Sequence, residues 1–295
     1  MNRESIEVLK NIYKPYKYTI QGSAHILKST SGDVVLKEKK NDIQSLYQYL
    51  QSRGFSSFPN LLDDSRDGVN VFEYLDTNEI PLEQKAEDFI LLVASLHAKT
   101  SYEKNAALDD FKKIYELIHD KIEYLKYYYD SLYQDYFQQV YPSPHAYFFL
   151  THFSKIYASL MYSEKELEVW YSHVKNLKQY RVCQIHHHLS LDHYLCGKKE
   201  ALCSWEHSKK DSPVLDLIEF YQQNYFELNF EHLMEKYYSI CPWSQEEKEL
   251  FYTMIAIPFK FEEKGSEFEV VSNVRKVLDY VYRTEELIKA EQGKK

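Results

Sequence analysis

Ile185-His186-His187-His188-Leu189-Ser190-Leu191-Asp192-His193-Tyr194-Leu195, followed by Ala201-Leu202-Cys203-Ser204-Trp205-Glu206, is the stretch on which the reading of this chain turns. Two short apolar strands flank a polar loop crowded with imidazoles. With His207, the loop offers several metal-ligating nitrogens, and zinc or nickel would suit them. Neighbours along an extended chain point to opposite faces, however, so only part of the His186-His187-His188 triplet can meet one ion. The His-Glu-x-x-His helix signature is also missing. A satisfied or solvent-facing histidine cluster is therefore expected, and no metal. His188 is weighed as a general base, because an imidazole accepts a proton near neutral pH.

Working outward, the 295 residues suffice for one large two-lobed domain or two ordinary ones. The 28 Tyr and 16 Phe against only 7 Gly and 8 Pro point to amphipathic aromatic helices rather than disorder. A net charge of −9 argues against a nucleic-acid partner, which would demand a basic face. No apolar run is long enough to span a membrane, and Met1-Asn2-Arg3-Glu4-Ser5 lacks a signal-peptide core, so a cytosolic product is expected. Cys183, Cys196, Cys203 and Cys241 include no C-x-x-C pair and are expected to be reduced thiols.

Before the loop, a short helix is expected from Ser5 to Tyr13, ended by Pro15. Residues 16–20, 24–29 and 34–38 alternate at period two, with turns at Ser31-Gly32-Asp33 and Asp67-Gly68. A helix over 43–53, the stretch Pro59-Asn60-Leu61-Leu62 and the strand 69–74 complete this part. Beyond Asp76-Thr77-Asn78 the spacing predicts helices over 82–99, 108–140, 146–162 and 164–178, then 216–228, 229–241, 244–257 and 266–292. The seven tyrosines from Tyr124 to Tyr141 read as a packed helical hairpin with wet hydroxyls.

These elements are similar to the aminoglycoside and choline kinase superfamily. Its catalytic loop has the form His-Gly-Asp-Leu-x-x-x-Asn; here His186 and Leu189 match, while His188 replaces the Asp and His193 the Asn. Ser204 stands at the second metal-binding Asp. Val34-Val35-Leu36-Lys37 resembles the Val-Ala-Ile-Lys strand, whose lysine grips nucleotide phosphates, although no Gly-rich loop precedes it and the next helix carries no Glu. Asp211-Ser212-Pro213-Val214-Leu215-Asp216 resembles Gly-Asp-Pro-x-x-Asp, in which the second Asp opens a buried helix and is structural. The small-lobe strands, the loop and the Asp216 segment, with Ala256-Ile257-Pro258-Phe259-Lys260 and 277–284, resemble most the spore coat branch, the CotS and YutH type.

The resemblance implies an α+β, bilobal protein-kinase-like fold: an antiparallel small lobe over 1–76 and a helical lobe over 77–295 carrying the degenerate loop 185–206. Lys37 would be nucleotide-binding, and His186 and Asp216 structural. His188, His193 and Ser204 are degenerate catalytic positions, because an imidazole and a hydroxyl do not replace the hard oxygens that hold magnesium. The expectation is a noncatalytic pseudokinase acting as a scaffold in endospore coat assembly, made in the cytoplasm, with other coat proteins as partners and no cofactor. The alternative is a small-molecule phosphotransferase with an altered site, using ATP and magnesium.

Overall fold

The computed structural model describes residues 3–30, 32–63, 68–107 and 109–293, with the side chains of 3–5 left aside. The turns expected at Ser31-Gly32-Asp33 and Asp67-Gly68, and the expected helix start at Leu108, each include a residue outside that set. The chain forms two compact units, Met1–Thr100 with Gln184–Lys209, and Ser101–Cys183 with Lys210–Lys295. Residues 77–100 and 184–209 thus group with the N-terminal sheet.

In the first unit, α1 (Arg3–Tyr13) leads into β1 (Lys17–Gln21), β2 (Ala24–Lys28) and β3 (Val34–Glu38); then come α2 (Ile43–Ser52), β4 (Leu61–Asp63), β5 (Val69–Glu73) and α3 (Leu82–Thr100). The strands form one antiparallel sheet in the order β1-β2-β3-β5-β4. Period-two alternation sorts its side chains. One face sends Leu27, Val34, Leu36, Val69 and Val71 against Leu9 of α1 in a dry cluster. The other face carries Ile26, Val35, Lys37, Asn70 and Phe72, which line a cleft. On that side Tyr47 of α2 stacks on Phe58 with ring centroids 4.0 Å apart.

Asp42 caps α2, accepting from the Ser45 amide (3.1 Å) and the Ser45 hydroxyl (2.6 Å). His97 is fully buried in α3. The unit is completed by the end of β7 (Gln179–Ile185), the hairpin β8 (Tyr194–Cys196) and β9 (Glu200–Leu202), and the start of β10 (Lys209–Asp211).

The second unit holds β6 (Tyr102–Asn105), antiparallel to β7, and the helices α4 (Asp110–Phe137), α5 (Pro144–Val174), α6 (Pro213–Asn224), α7 (Phe230–Ile240), α8 (Gln245–Ile255) and α9 (Glu267–Gly293). The two helices expected over 146–162 and 164–178 are one. No Gly or Pro interrupts Tyr162-Ser163-Glu164, and buried Ser163 returns its hydroxyl to the Ser159 carbonyl at 3.0 Å, so the ladder continues. The tyrosine tract is a hairpin partner, but its hydroxyls are not uniformly wet. Tyr127 and Tyr141 are exposed, whereas buried Tyr129 donates to the Phe259 carbonyl at 2.7 Å.

Asp216 does not open α6. Ser212 is the cap and Pro213 the first helical residue, an N-terminal pairing favoured by the missing proline N–H; Asp216 lies in the first turn, fully buried. A carboxylate there faces the positive end of the helix dipole. All four cysteines are free thiols, and burial pushes those of Cys183, Cys203 and Cys241 up.

Candidate functional site

β7 delivers the histidine loop, and hydrogen bonds anchor its last residues. The Gln184 amide donates to Thr100 Oγ1 (3.0 Å), Gln184 Nε2 to Ser208 Oγ (2.7 Å), and Ser208 Oγ to the Ile185 carbonyl (2.6 Å). His186 follows, fully buried, its Nε2–H donating to the Cys203 carbonyl at 2.8 Å. The Cys203 amide in turn donates to the His193 carbonyl at 2.9 Å. These two bonds clamp the start and end of the loop to the residue just before Ser204.

His187 stands where the resembled pattern has glycine, and it keeps the geometry glycine serves: φ is +58°. Ser204 is likewise left-handed, at φ +68°. A side chain with a Cβ meets a penalty of roughly 1–2 kcal/mol at each such position. The loop backbone thus makes left-handed turns at His187 and Ser204 without glycine, the residue that makes such turns cheap.

The imidazoles cluster without converging on a common point. Ring centroids lie 5.1 Å apart for His188 and His193, 5.5 Å for His186 and His193, and 5.8 Å for His188 and His207. His193 Nδ1–H donates to the His188 carbonyl at 2.9 Å, which leaves Nε2 with the lone pair. Burial, chiefly, holds the His193 pKa below its usual value, so the ring is neutral near pH 7. Among the described residues, the group of potential ligand atoms that does converge is in the other unit: His119, Glu123 and Glu164, mutually within 4.8 Å. Lys126 already answers both carboxylates there, at 2.9 and 2.6 Å.

Lys37 is the centre of the cleft. Its Nζ donates to Ser204 Oγ and to Glu206 Oε1, both at 2.8 Å. Lysine and glutamate side chains are only 13% and 17% exposed, so the pair is shielded from water. Burial pushes the Glu206 carboxyl up, and the charge and hydrogen bond of Lys37 outweigh it, leaving the pKa below the usual glutamate value. The lysine partner that α2 lacks therefore comes from the turn after β9. From sequence, Glu206 reads only as a neighbour of Ser204; its pairing with Lys37 spans 169 residues.

The cleft measures about 550 Å³. Its walls include Ile26, Val35, Phe72 and Leu195, and Asp192, His193, Ser204 and Glu206 also line it. His188, the base position, is exposed and is not among the lining residues. Asp216 belongs to the second unit. Sequence reasoning missed Asn70. Its signal was a lone amide in the apolar run Val69-Asn70-Val71-Phe72, on the alternation shared by Phe72. Asn70 is the cross-strand partner of Lys37, is 2% exposed and lines the cleft.

The β8–β9 turn closes against the segment following β5. The Asn78 amide donates to the Cys196 carbonyl at 2.5 Å. Gly197 lies so near that a Cβ would sit 2.0 Å from the Asp76 carbonyl oxygen. Trp205 packs edge-on against Phe55 and Phe58, fixing the turn that carries Glu206.

This architecture is the kinase-like, aminoglycoside-phosphotransferase fold, with a small antiparallel sheet and a large helical portion. The aminoglycoside phosphotransferase from Alicyclobacillus acidocaldarius superposes with a TM-score of 0.69 at 10% identity, covering 95% of this chain and 93% of that one. The AMP-bound complex of the spectinomycin phosphotransferase APH(9)-Ia gives a TM-score of 0.52 at 13% identity, covering 98% and 94%. At such identities the likeness is one of fold. No family model and no curated protein matches the sequence.

Proposed function

We propose that the chain is a noncatalytic kinase-like binding protein. The observation that carries this reading is the engagement of Lys37 by Ser204 and Glu206 at 2.8 Å each. Phosphoryl transfer needs concentrated positive charge on the phosphates and, in the resembled superfamily, a cation held by hard oxygens. Here the metal-binding positions carry the His193 imidazole and the Ser204 hydroxyl, and the nearest carboxylate already neutralises the lysine. Magnesium and a triphosphate therefore fit these residues poorly. AMP, which the spectinomycin phosphotransferase holds in its complex, is a ligand of that protein; for this chain a nucleotide-derived ligand is the natural first probe.

On the resemblance of the loop, the Asp216 segment and the C-terminal runs to the CotS and YutH type, the binding role is placed in endospore coat assembly. The protein would be made in the cytoplasm and would act as a scaffold among other coat proteins. A fluorescent fusion in a spore former tests this: signal at the forespore periphery is expected, and uniform signal unrelated to sporulation overturns it.

A second reading, a phosphotransferase with a relocated metal site, draws on one observation: Asp192 and Glu206 both line the cleft and carry carboxylate oxygens. Turnover of ATP with magnesium across alcohols, sugars and aminoglycosides separates the two. Absence of product is expected for the chain as it stands. Product that disappears in Lys37→Ala would overturn the noncatalytic reading.

A further inference from the structure

Along the seam between α4 and α5, three side chains with lone pairs to give come together. His119 and Glu123 stand one helical turn apart on α4 and so share a side of it. Glu164 comes from α5, and one ligand atom of each of the three lies within 4.8 Å of the others. The Tyr115 ring stacks on the His119 imidazole with centroids 5.7 Å apart, and the Tyr115 hydroxyl donates to Glu168 of α5 at 2.5 Å, which steadies the imidazole at the helix contact. His119 Nδ1 is 4.0 Å from the Asp120 carboxylate, too far for a hydrogen bond, so the ring is not committed there.

The two carboxylates already hold a cation. Lys126 Nζ stands 2.9 Å from Glu123 and 2.6 Å from Glu164, and its side chain is largely buried. That ammonium offsets the repulsion between two glutamates brought together on facing helices. A metal ion would use the imidazole as well. One imidazole nitrogen with two carboxylate oxygens is a donor set that suits zinc and its first-row neighbours better than magnesium. Around a tetrahedral zinc, ligand atoms about 2.1 Å from the ion stand about 3.4 Å from one another. Glu123 is exposed and His119 half-buried, so both side chains have room to turn and close the difference.

We propose that His119, Glu123 and Glu164 form a binding site for zinc or a similar first-row divalent ion, with the Lys126 ammonium as its built-in competitor. The ion enters as Lys126 swings out to solvent, and it then pins α4 to α5. The site lies wholly within the second unit and uses no residue of the cleft, so it stands or falls independently of the noncatalytic reading.

Zinc calorimetry on the full chain tests this, with Lys126→Met, and with His119→Ala in the wild-type and Lys126→Met backgrounds. Removing the competing charge should tighten zinc binding about tenfold or more. Losing the imidazole should weaken it in both backgrounds by at least the roughly tenfold that even a neighbour of a ligand is worth. Because Lys126→Met leaves two carboxylates side by side, a second measurement avoids that variant: His119→Cys with cobalt(II) in place of zinc should add a thiolate-to-metal charge-transfer band in the near ultraviolet to the wild-type spectrum. Zinc affinity equal in wild type and His119→Ala places the ion on other groups, the loop imidazoles included, and overturns the proposal. So does a His119→Cys protein whose cobalt spectrum matches wild type, or an affinity unchanged by Lys126→Met while circular dichroism stays native. Absence of zinc binding in every variant overturns it too.

Discussion

The two faces of the five-stranded sheet come from the same strands in alternation, yet they obey different rules. Leu27, Val34, Leu36, Val69 and Val71 meet α1 through carbon alone. One residue along in each strand, Ile26, Val35, Lys37, Asn70 and Phe72 face the cleft and set an ammonium and an amide among apolar neighbours. The covered face is what hydrophobic burial selects. The cleft face carries Lys37 and Asn70 at near-core burial, where hydrophobic burial alone would select apolar side chains. Local rules broken without a compensating gain concentrate at functional sites.

Substitutions on either face test that contrast. The largest stability loss is expected on the covered side: Leu36→Ala should cost about 3 kcal/mol by urea denaturation, from lost transfer energy plus a cavity, with ligand affinity unchanged. At the rim of the cleft, Gly197→Ala should cost about 2 kcal/mol, because the new Cβ meets a backbone oxygen at 2.0 Å and neither chain yields cheaply.

Lys37→Met leaves Glu206 charged and largely shielded, at about 1 kcal/mol, and adding Glu206→Gln should recover most of that loss. The pH dependence has a definite sign. The folded Glu206 pKa lies below the ordinary value near 4.3, so the pair's contribution is present above about pH 4.3 and fades as pH falls through the lower folded value. The stability gap between wild type and Lys37→Met should close over that acidic window. A gap unchanged into stronger acid would remove the pair from the account.

The smallest effect has the opposite direction. Asn70→Leu should leave stability unchanged or raise it by under about 1 kcal/mol, since an orphaned buried acceptor is removed. If it costs as much as Leu36→Ala, the two faces are alike and the contrast fails.

Much of this was legible in the residues. Period-two alternation placed β1, β2, β3 and β5, and the stretch His186 to His193, then Ser204, marked the loop whose His193 and Ser204 line the cleft. Helix continuity across Tyr162-Ser163-Glu164 was not legible, because a small polar residue can end a helix or bond back into it. Asp216 read as a helix opener because its pattern is local; Ser212 and Pro213 start that helix by the stronger local rule.

The sequence by itself determined which side chains share a strand face and where the loop imidazoles cluster, since both depend on spacing over a few residues. Only the tertiary structure decided that Glu206 would answer Lys37 and that Asn70 would stand beside it with a buried acceptor unpartnered among the described residues. Those facts depend on where the β8–β9 hairpin and Trp205 bring the chain back onto the sheet. Electrostatic and hydrogen-bond partners are chosen by distance in space, which no local periodicity encodes.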